Sequence, residues 1–194
     1  GEVVADNPMD YNKSADFYTG VSKVLAAKPD VLFIGGASEP TGLVVRQARE
    51  LGFKGSFILM DQAKIDEVAK VAGGLQAVEG SVGVTPLGSS EIEGARKFVE
   101  KYQQNHKNVA TSETAYNYFA MHMLAQAMQE AGSVDDPAKI RAAMPAALKK
   151  IPAEYNPYDV NGISENGALE TDVQLAQVID GKVVLRRLSD VLSQ

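Results

Sequence analysis

The chain has 194 residues, 45% of them hydrophobic and 23% charged, a composition that suits a folded domain with a sizeable core and excludes a disordered or fibrous polypeptide. Nineteen Lys and Arg against 25 Asp and Glu leave a formal net charge of -6, and the basic residues are scattered, which argues against nucleic acid as a partner. No run reaches the roughly 18 apolar residues of a membrane helix; Gly1 to Val4 open without a charged leader or apolar signal segment; and the lack of cysteine removes disulfides, iron–sulfur ligation and thiolate-bound zinc without indicating a compartment.

Along the chain, Val3 to Ala5 predict a short strand that ends at Asp6-Asn7-Pro8, since proline cannot continue a ladder. Ser14 is placed to cap a helix with Phe17, Val21, Val24 and Leu25 on its core stripe, stopping before Pro29. Asp30 to Ile34 form a continuous apolar run closed by Gly35-Gly36, the pattern of a parallel strand covered on both faces. Ser38, Glu39 and Pro40 then combine an N-cap, an acidic first turn and an early proline. In the helix that follows, Val44, Val45, Ala48 and Leu51 make the buried face and Arg46, Arg49 and Glu50 the wet one, with Gly52 as the stop. Ser56 to Leu59, a short helix from Ile65 to Val71, and Val78 to Val84 complete a strand–helix alternation that signals right-handed crossovers in an open parallel sheet with helices on both faces.

After Thr85 to Ser89 the rhythm changes to helices without strands. Ile92, Ala95, Val99 and Tyr102 repeat at helical spacing, with Glu93 and Lys97 as an i, i+4 pair. Thr114 to Ala131 is apolar nearly all round and predicts a buried central helix; Pro137 to Leu148 predict another. The tail returns to strands. Asn161-Gly162 and Asn166-Gly167 are turn signals, and Asp180-Gly181 between Val173–Ile179 and Lys182–Leu188 is a strong hairpin signal. Helices from 92 to 148 with no sheet beneath them imply a fragment, a partner subunit, or helix-on-helix packing.

Enzyme motifs are mostly absent: there is no phosphate loop, dinucleotide fingerprint, zinc-protease motif or nucleophile elbow. His122 reads as structural and His106 as a solvated helix end. Asn12-Lys13-Ser14 matches a glycosylation acceptor but reads better as a cap region. No cofactor and no metal site are expected. Ligands of open α/β sheets gather at the carboxyl ends of the strands, here the loops around Asn7 to Lys13, Gly36 to Glu39 and Met60 to Lys64. Gly36 lets the backbone come close to a ligand, and Ser38, whether donor or simple cap, stands with Ala37 and Glu39 at a helix N-terminus. Asp61, next to Gln62, ends an apolar strand abruptly. A carboxylate there needs a cationic partner, which a ligand ammonium would supply; the other reading makes it the cap of the next helix. Tyr11 is a weaker candidate, as an aromatic in a loop.

The residues Lys28-Pro29-Asp30-Val31-Leu32-Phe33-Ile34-Gly35-Gly36, Arg46-Gln47-Ala48-Arg49-Glu50-Leu51-Gly52-Phe53, Glu79-Gly80, Phe98 to Tyr102, Ala125 to Met128 and Ile179 to Lys182 together resemble the branched-chain amino acid substrate-binding proteins of ABC transporters, which are type 1 periplasmic binding proteins. The resemblance implies two lobes closing on a small ligand. Residues 1–85 would be most of the second lobe, 86–150 the helical part of an incomplete first lobe, and 151–194 the return strands and hairpin of the second. It also implies an amino acid or similar polar metabolite as ligand, with Asp61 on its ammonium and Ala37 where the family commonly has an aromatic. The opening part of the first lobe, which grips the α-carboxylate, would precede Gly1. The further implications are a membrane permease as partner, a periplasmic or extracellular location with an optional lipid anchor, and a hinge through Thr85 to Ser89 and Pro152 to Asn161. Exposed apolar surface on the helices should favour self-association. A sensory domain of the same fold, or an α/β enzyme using Asp61 as general base, are the other readings.

Overall fold

The fold is that of a computed structural model, which describes residues 1–13, 16–60 and 62–193. In chain order the elements are α1 (Tyr18–Leu25), β1 (Val31–Ile34), α2 (Ser38–Glu50), β2 (Ser56–Leu59), α3 (Ile65–Ala72), β3 (Val82–Val84), α4 (Glu93–Asn105), α5 (Ser112–Ala131), α6 (Pro137–Leu148), β4 (Gly162–Ile163), β5 (Leu169–Glu170), β6 (Gln174–Ile179), β7 (Lys182–Arg187) and α7 (Leu188–Leu192). They divide into a sheet unit, Gly1–Pro86 with Gln174–Arg186, and a helical unit, Leu87–Val173 with Arg187–Gln194.

The sheet unit has the mixed α/β architecture that the strand–helix alternation predicts. Its strands lie in the order β1-β2-β3-β6-β7. The pairs β1–β2 and β2–β3 are parallel, whereas β6 joins β3 antiparallel, with Gly83 opposite Ala176. The hairpin between β6 and β7 turns at Asp180 and Gly181, both at positive φ, and the Glu79 carboxylate accepts both of their amides at 2.8 and 2.9 Å. Leu32, Phe57, Leu59, Ala176 and Val178 point to one face and share a core with Val21 of α1, Val44, Val45 and Ala48 of α2, and Ile65, Val68 and Ala69 of α3. The residues that alternate with them on β1 and β2 face solvent: Val31 is 45% exposed, Phe33 67% and Ile58 44%. The apolar run of β1 is thus covered on one face, not two, because α1, α2 and α3 all join the one core.

Three further expectations change. Val3 to Ala5 form no strand; Val3 is 87% exposed, and a strand exists only where a neighbouring ladder takes its N–H and C=O groups. The strand expected from Val78 shrinks to Val82–Val84, because Leu75–Val78 wind into a 3-10 turn and Gly80 sits at φ +72°, which breaks extended backbone. Arg49 and Leu51 exchange roles: Leu51 is exposed, while the Arg49 guanidinium is half-buried and donates to the carbonyls of Ala77, Phe53 and Gly55, each at 2.8 Å. It also lies over the Phe57 ring. Burial of the charge lowers its pKa.

In the helical unit, α5 buries a single stripe, Ala115, Phe119, Met123 and Ala127, at the i, i+4 spacing of one helix face. Tyr116, Met121 and Leu124 are exposed, so α5 is amphipathic rather than buried all round. Its stripe enters two small cores, one with Ile140, Ala147 and Leu148 of α6 and one with Ala95 and Phe98 of α4. Helix-on-helix packing thus takes the place of a sheet. The Glu93–Lys97 pair forms at 2.8 Å, and Asp136 caps α6 by accepting the Lys139 amide. Of the two turn signals in the tail, Asn166-Gly167 turns the β4–β5 hairpin, whereas Gly162 lies within β4. No helix among the described residues is long and apolar enough to cross a membrane.

Candidate functional site

Because β1 and β2 are parallel and in register, with Ile34 opposite Leu59, their carboxyl ends deliver two loops to the same edge of the sheet. The β2 loop folds tightly: the Met60 amide donates to the Ile34 carbonyl at 3.2 Å and the Ala63 amide to the Met60 carbonyl at 2.8 Å. Lys64 then bridges to Val84 at the end of β3. Three strand tips therefore meet at this edge.

Ser38 joins two of the loops. Its hydroxyl donates to the Gln62 carbonyl at 3.1 Å and accepts the Lys64 amide at 3.2 Å. This differs from the expected capping role. Ala37, extended at ψ 162°, occupies the N-cap position, with no side-chain cap bond, and Ser38 is the first helical residue. With its hydroxyl committed across 24 residues of sequence, Ser38 braces the loops. Glu39 lies exposed in the first turn of α2, where a negative charge complements the helix dipole.

Gly36, in the same β1 loop, comes together with Tyr11. Both line a groove of about 800 Å³ that runs along β1, with the segment from Gly1 to Met9 as its other wall. Tyr11 is 49% exposed. The close approach that glycine permits is taken by the protein itself at Gly35, where an added Cβ would stand 2.8 Å from the Met60 sulfur, and nearly so at Gly36, where it would stand 3.2 Å from Thr41 Oγ1. Thr41 is 1% exposed, lines the same groove, and its hydroxyl has no hydrogen-bond partner among the described residues. It was not singled out from the sequence, although a threonine on the stripe Thr41, Val44, Val45, Ala48 is a polar residue on an apolar face. Of the expected site residues, then, Ser38 and Gln62 are bonded, Gly36 and Tyr11 share a groove, Ala37 caps α2 and Glu39 faces solvent. Asp61 lies outside the described residues, as does Ser14. The N-cap of α3 is Lys64.

Backbone amides, hydroxyls and small residues at a strand-tip edge suit hydrogen bonding of a small polar ligand. The two histidines belong to the helical unit. His106 ends α4, exposed and 4.5 Å from the Tyr102 ring; His122 stacks on Tyr155 at 4.0 Å with Tyr118 against its edge. Burial, and then the nearby Lys101 charge, lower the His122 pKa. Among the described residues no group of three or more His, Asp or Glu is placed to hold a metal.

Residues 1–182 match the periplasmic binding protein family. Over 124 residues the chain is 34% identical to an amino acid binding protein of Pseudomonas aeruginosa, covering 64% of this chain and 33% of that protein. It is 32% identical over 129 residues to the Leu/Ile/Val-binding protein homolog 1 of Brucella suis biovar 1, covering 66% and 34%. Among solved structures it resembles the leucine binding protein LivK of Thermotoga maritima, with a TM-score of 0.65 and 28% identity over 89% of this chain and 48% of that one. The chain spans about a third of the length of these curated relatives and about half of the solved chain.

Proposed function

Since the chain belongs to the periplasmic binding protein family, we propose that it supplies one ligand-binding jaw of an extracytoplasmic solute receptor for an amino acid or similar small polar metabolite, which the complete protein hands to an ABC-transporter permease. The observation that carries this reading is the bracing of the β1 and β2 loops by Ser38, which holds a set of polar groups at the carboxyl edge of the strands, where open α/β sheets receive ligands. The relatives named for amino acids support the ligand class. Asp61 follows β2 by two residues in the sequence, and its carboxylate takes the ligand's ammonium through a charge-assisted hydrogen bond. Ala37, where the resemblance places a common aromatic, leaves more room in the loop after β1 and argues against specificity for a branched-chain side chain. Binding and release are the whole of the activity, with no covalent step.

Titration calorimetry of the full-length protein against the twenty amino acids tests this. Asp61→Ala should weaken binding of the preferred ligand by about 2 to 5 kcal/mol, as truncating one member of a desolvated charge pair does. Unchanged affinity would remove Asp61 from the site. Binding of none of the amino acids would remove the ligand class.

A further inference from the structure

The strand-tip edge is almost bare of apolar side chains. The loop after β1 begins Gly35-Gly36-Ala37 and the loop after β2 runs Met60-Asp61-Gln62-Ala63-Lys64, so Met60 is the one large apolar residue in the two. Its backbone is fixed on both sides, since its amide donates to the Ile34 carbonyl and its carbonyl accepts the Ala63 amide. The side chain is left open. It is 42% exposed, and it crosses from the tip of β2 to the tip of β1, where a Cβ added to Gly35 would stand 2.8 Å from its sulfur.

Register and alternation explain the crossing. Ile34 pairs with Leu59, so Gly35 and Met60 are the first residues beyond the ladder and stand side by side. Phe57 and Leu59 point into the core while Ile58 faces solvent, and alternation along the strand puts Met60 on the side of Ile58. Glycine opposite it lets the thioether lie over the neighbouring strand tip. Methionine is unbranched, has three rotatable bonds and carries a polarisable sulfur, so it moulds itself to apolar shapes of different outline. A site for a small ligand pairs a few polar groups with an apolar surface. Ala37 contributes only a methyl group to that surface, and Met60 contributes the rest of what these two loops offer.

We propose, on the reading of this edge as a ligand-binding jaw, that Met60 determines which side chain the jaw accepts. The thioether forms the wall against which the ligand's side chain lies, and the ligand class is an amino acid with a long unbranched or aromatic apolar side chain. A β-branched side chain is short and stiff at χ1 and reaches less of such a wall.

Titration calorimetry of the full-length protein, with L-norleucine, L-phenylalanine, L-valine and L-alanine as probes, tests this. Norleucine and phenylalanine should bind about tenfold or more tightly than valine, within the range that added methylene groups contribute in an apolar pocket. Met60→Ala should remove that advantage while leaving alanine affinity and the melting temperature unchanged, and Met60→Leu, which nearly keeps the volume, should restore most of it. Hydrogen peroxide gives a second readout: it passes one oxygen to the Met60 thioether, forming the sulfoxide and water, and saturating norleucine should slow that oxidation. Met60→Ala without effect on norleucine, an equal loss for alanine, valine bound as tightly as norleucine, or oxidation of Met60 at the same rate with and without norleucine overturns the inference. If Asp61→Ala still weakens binding in any of those cases, the jaw itself stands; binding of no amino acid removes the jaw and the role of Met60 together.

Discussion

Both units tie side chains to backbone, but the sheet unit does so with buried groups, Gln47 and Ser81. In the helical unit such bonds lie in partly buried or exposed places, as at Asn156 and Tyr158, and rings stack on one another. The four buried polar residues among the described ones, Thr41, Gln47, Ser81 and Thr85, all lie in the sheet unit. Gln47 accepts the Phe17 amide at 2.8 Å, Ser81 accepts the Phe57 amide at 3.0 Å, and Arg49 serves three carbonyls. The helical unit is held by small apolar cores and by rings: Tyr116 on Tyr158 at 4.1 Å, Phe98 against Tyr118 at 4.9 Å, and His122 on Tyr155. The difference follows from where backbone hydrogen bonds are made. A helix satisfies its interior N–H and C=O groups within itself, while short strands joined by tight loops leave backbone groups that must find side-chain partners.

Three substitutions test the contrast. Phe57→Ala empties a fully buried site in the sheet unit and should cost about 3 to 5 kcal/mol. In urea with residue-resolved hydrogen exchange, the loss should fall on residues 17–72 and 174–185 and spare 93–131. A uniform loss would mean that the two units unfold together and would break the comparison. Arg49→Met leaves three carbonyls without their donor and should cost about 1.5 to 3 kcal/mol, the range for hydrogen bonds to a charged group. Arg49→Lys should recover little, because an ammonium cannot reproduce the planar fork; full recovery of the urea midpoint by lysine would show that charge alone matters there.

The smallest effect concerns His122. Its pKa is held below the ordinary 6.5 by burial and then by Lys101, so the unfolded chain binds more protons over that interval. The stability this contributes is fully present above pH 6.5 and is lost as the pH falls through the lowered value. The melting temperature should therefore fall as the pH drops below 6.5, and the fall should be shallower in His122→Gln. Parallel pH profiles for the two proteins would exclude His122 as the source.

Much of the secondary structure was legible because it is written in short-range signals. The apolar run ending at Gly35 is β1, Ser56 to Leu59 are β2, Pro137 to Leu148 are α6 behind their Asp136 cap, and Asp180-Gly181 turns the last hairpin. The strand tips followed from the same alternation, because parallel strands joined by helices bring their carboxyl ends to one edge. Ser38 misled because its type and place suit a cap, while the partner that claims its hydroxyl lies 24 residues away. Arg49 misled because helical periodicity places a side chain on a face without saying what backbone that face meets. α5 misled because an apolar composition does not reveal how much covering neighbours provide.

Taken alone, the sequence determined the order of most of the strands and helices, the turn of the last hairpin, and its kinship with the periplasmic binding proteins, since each rests on neighbouring residues or on patterns kept along the chain. Tertiary structure decided which strands pair, that β1 keeps a free edge while Val3 to Ala5 join no ladder, and which polar groups turn inward. Those outcomes depend on hydrogen-bond partners and covering surfaces brought from distant parts of the chain, and no local pattern encodes whether such a partner arrives.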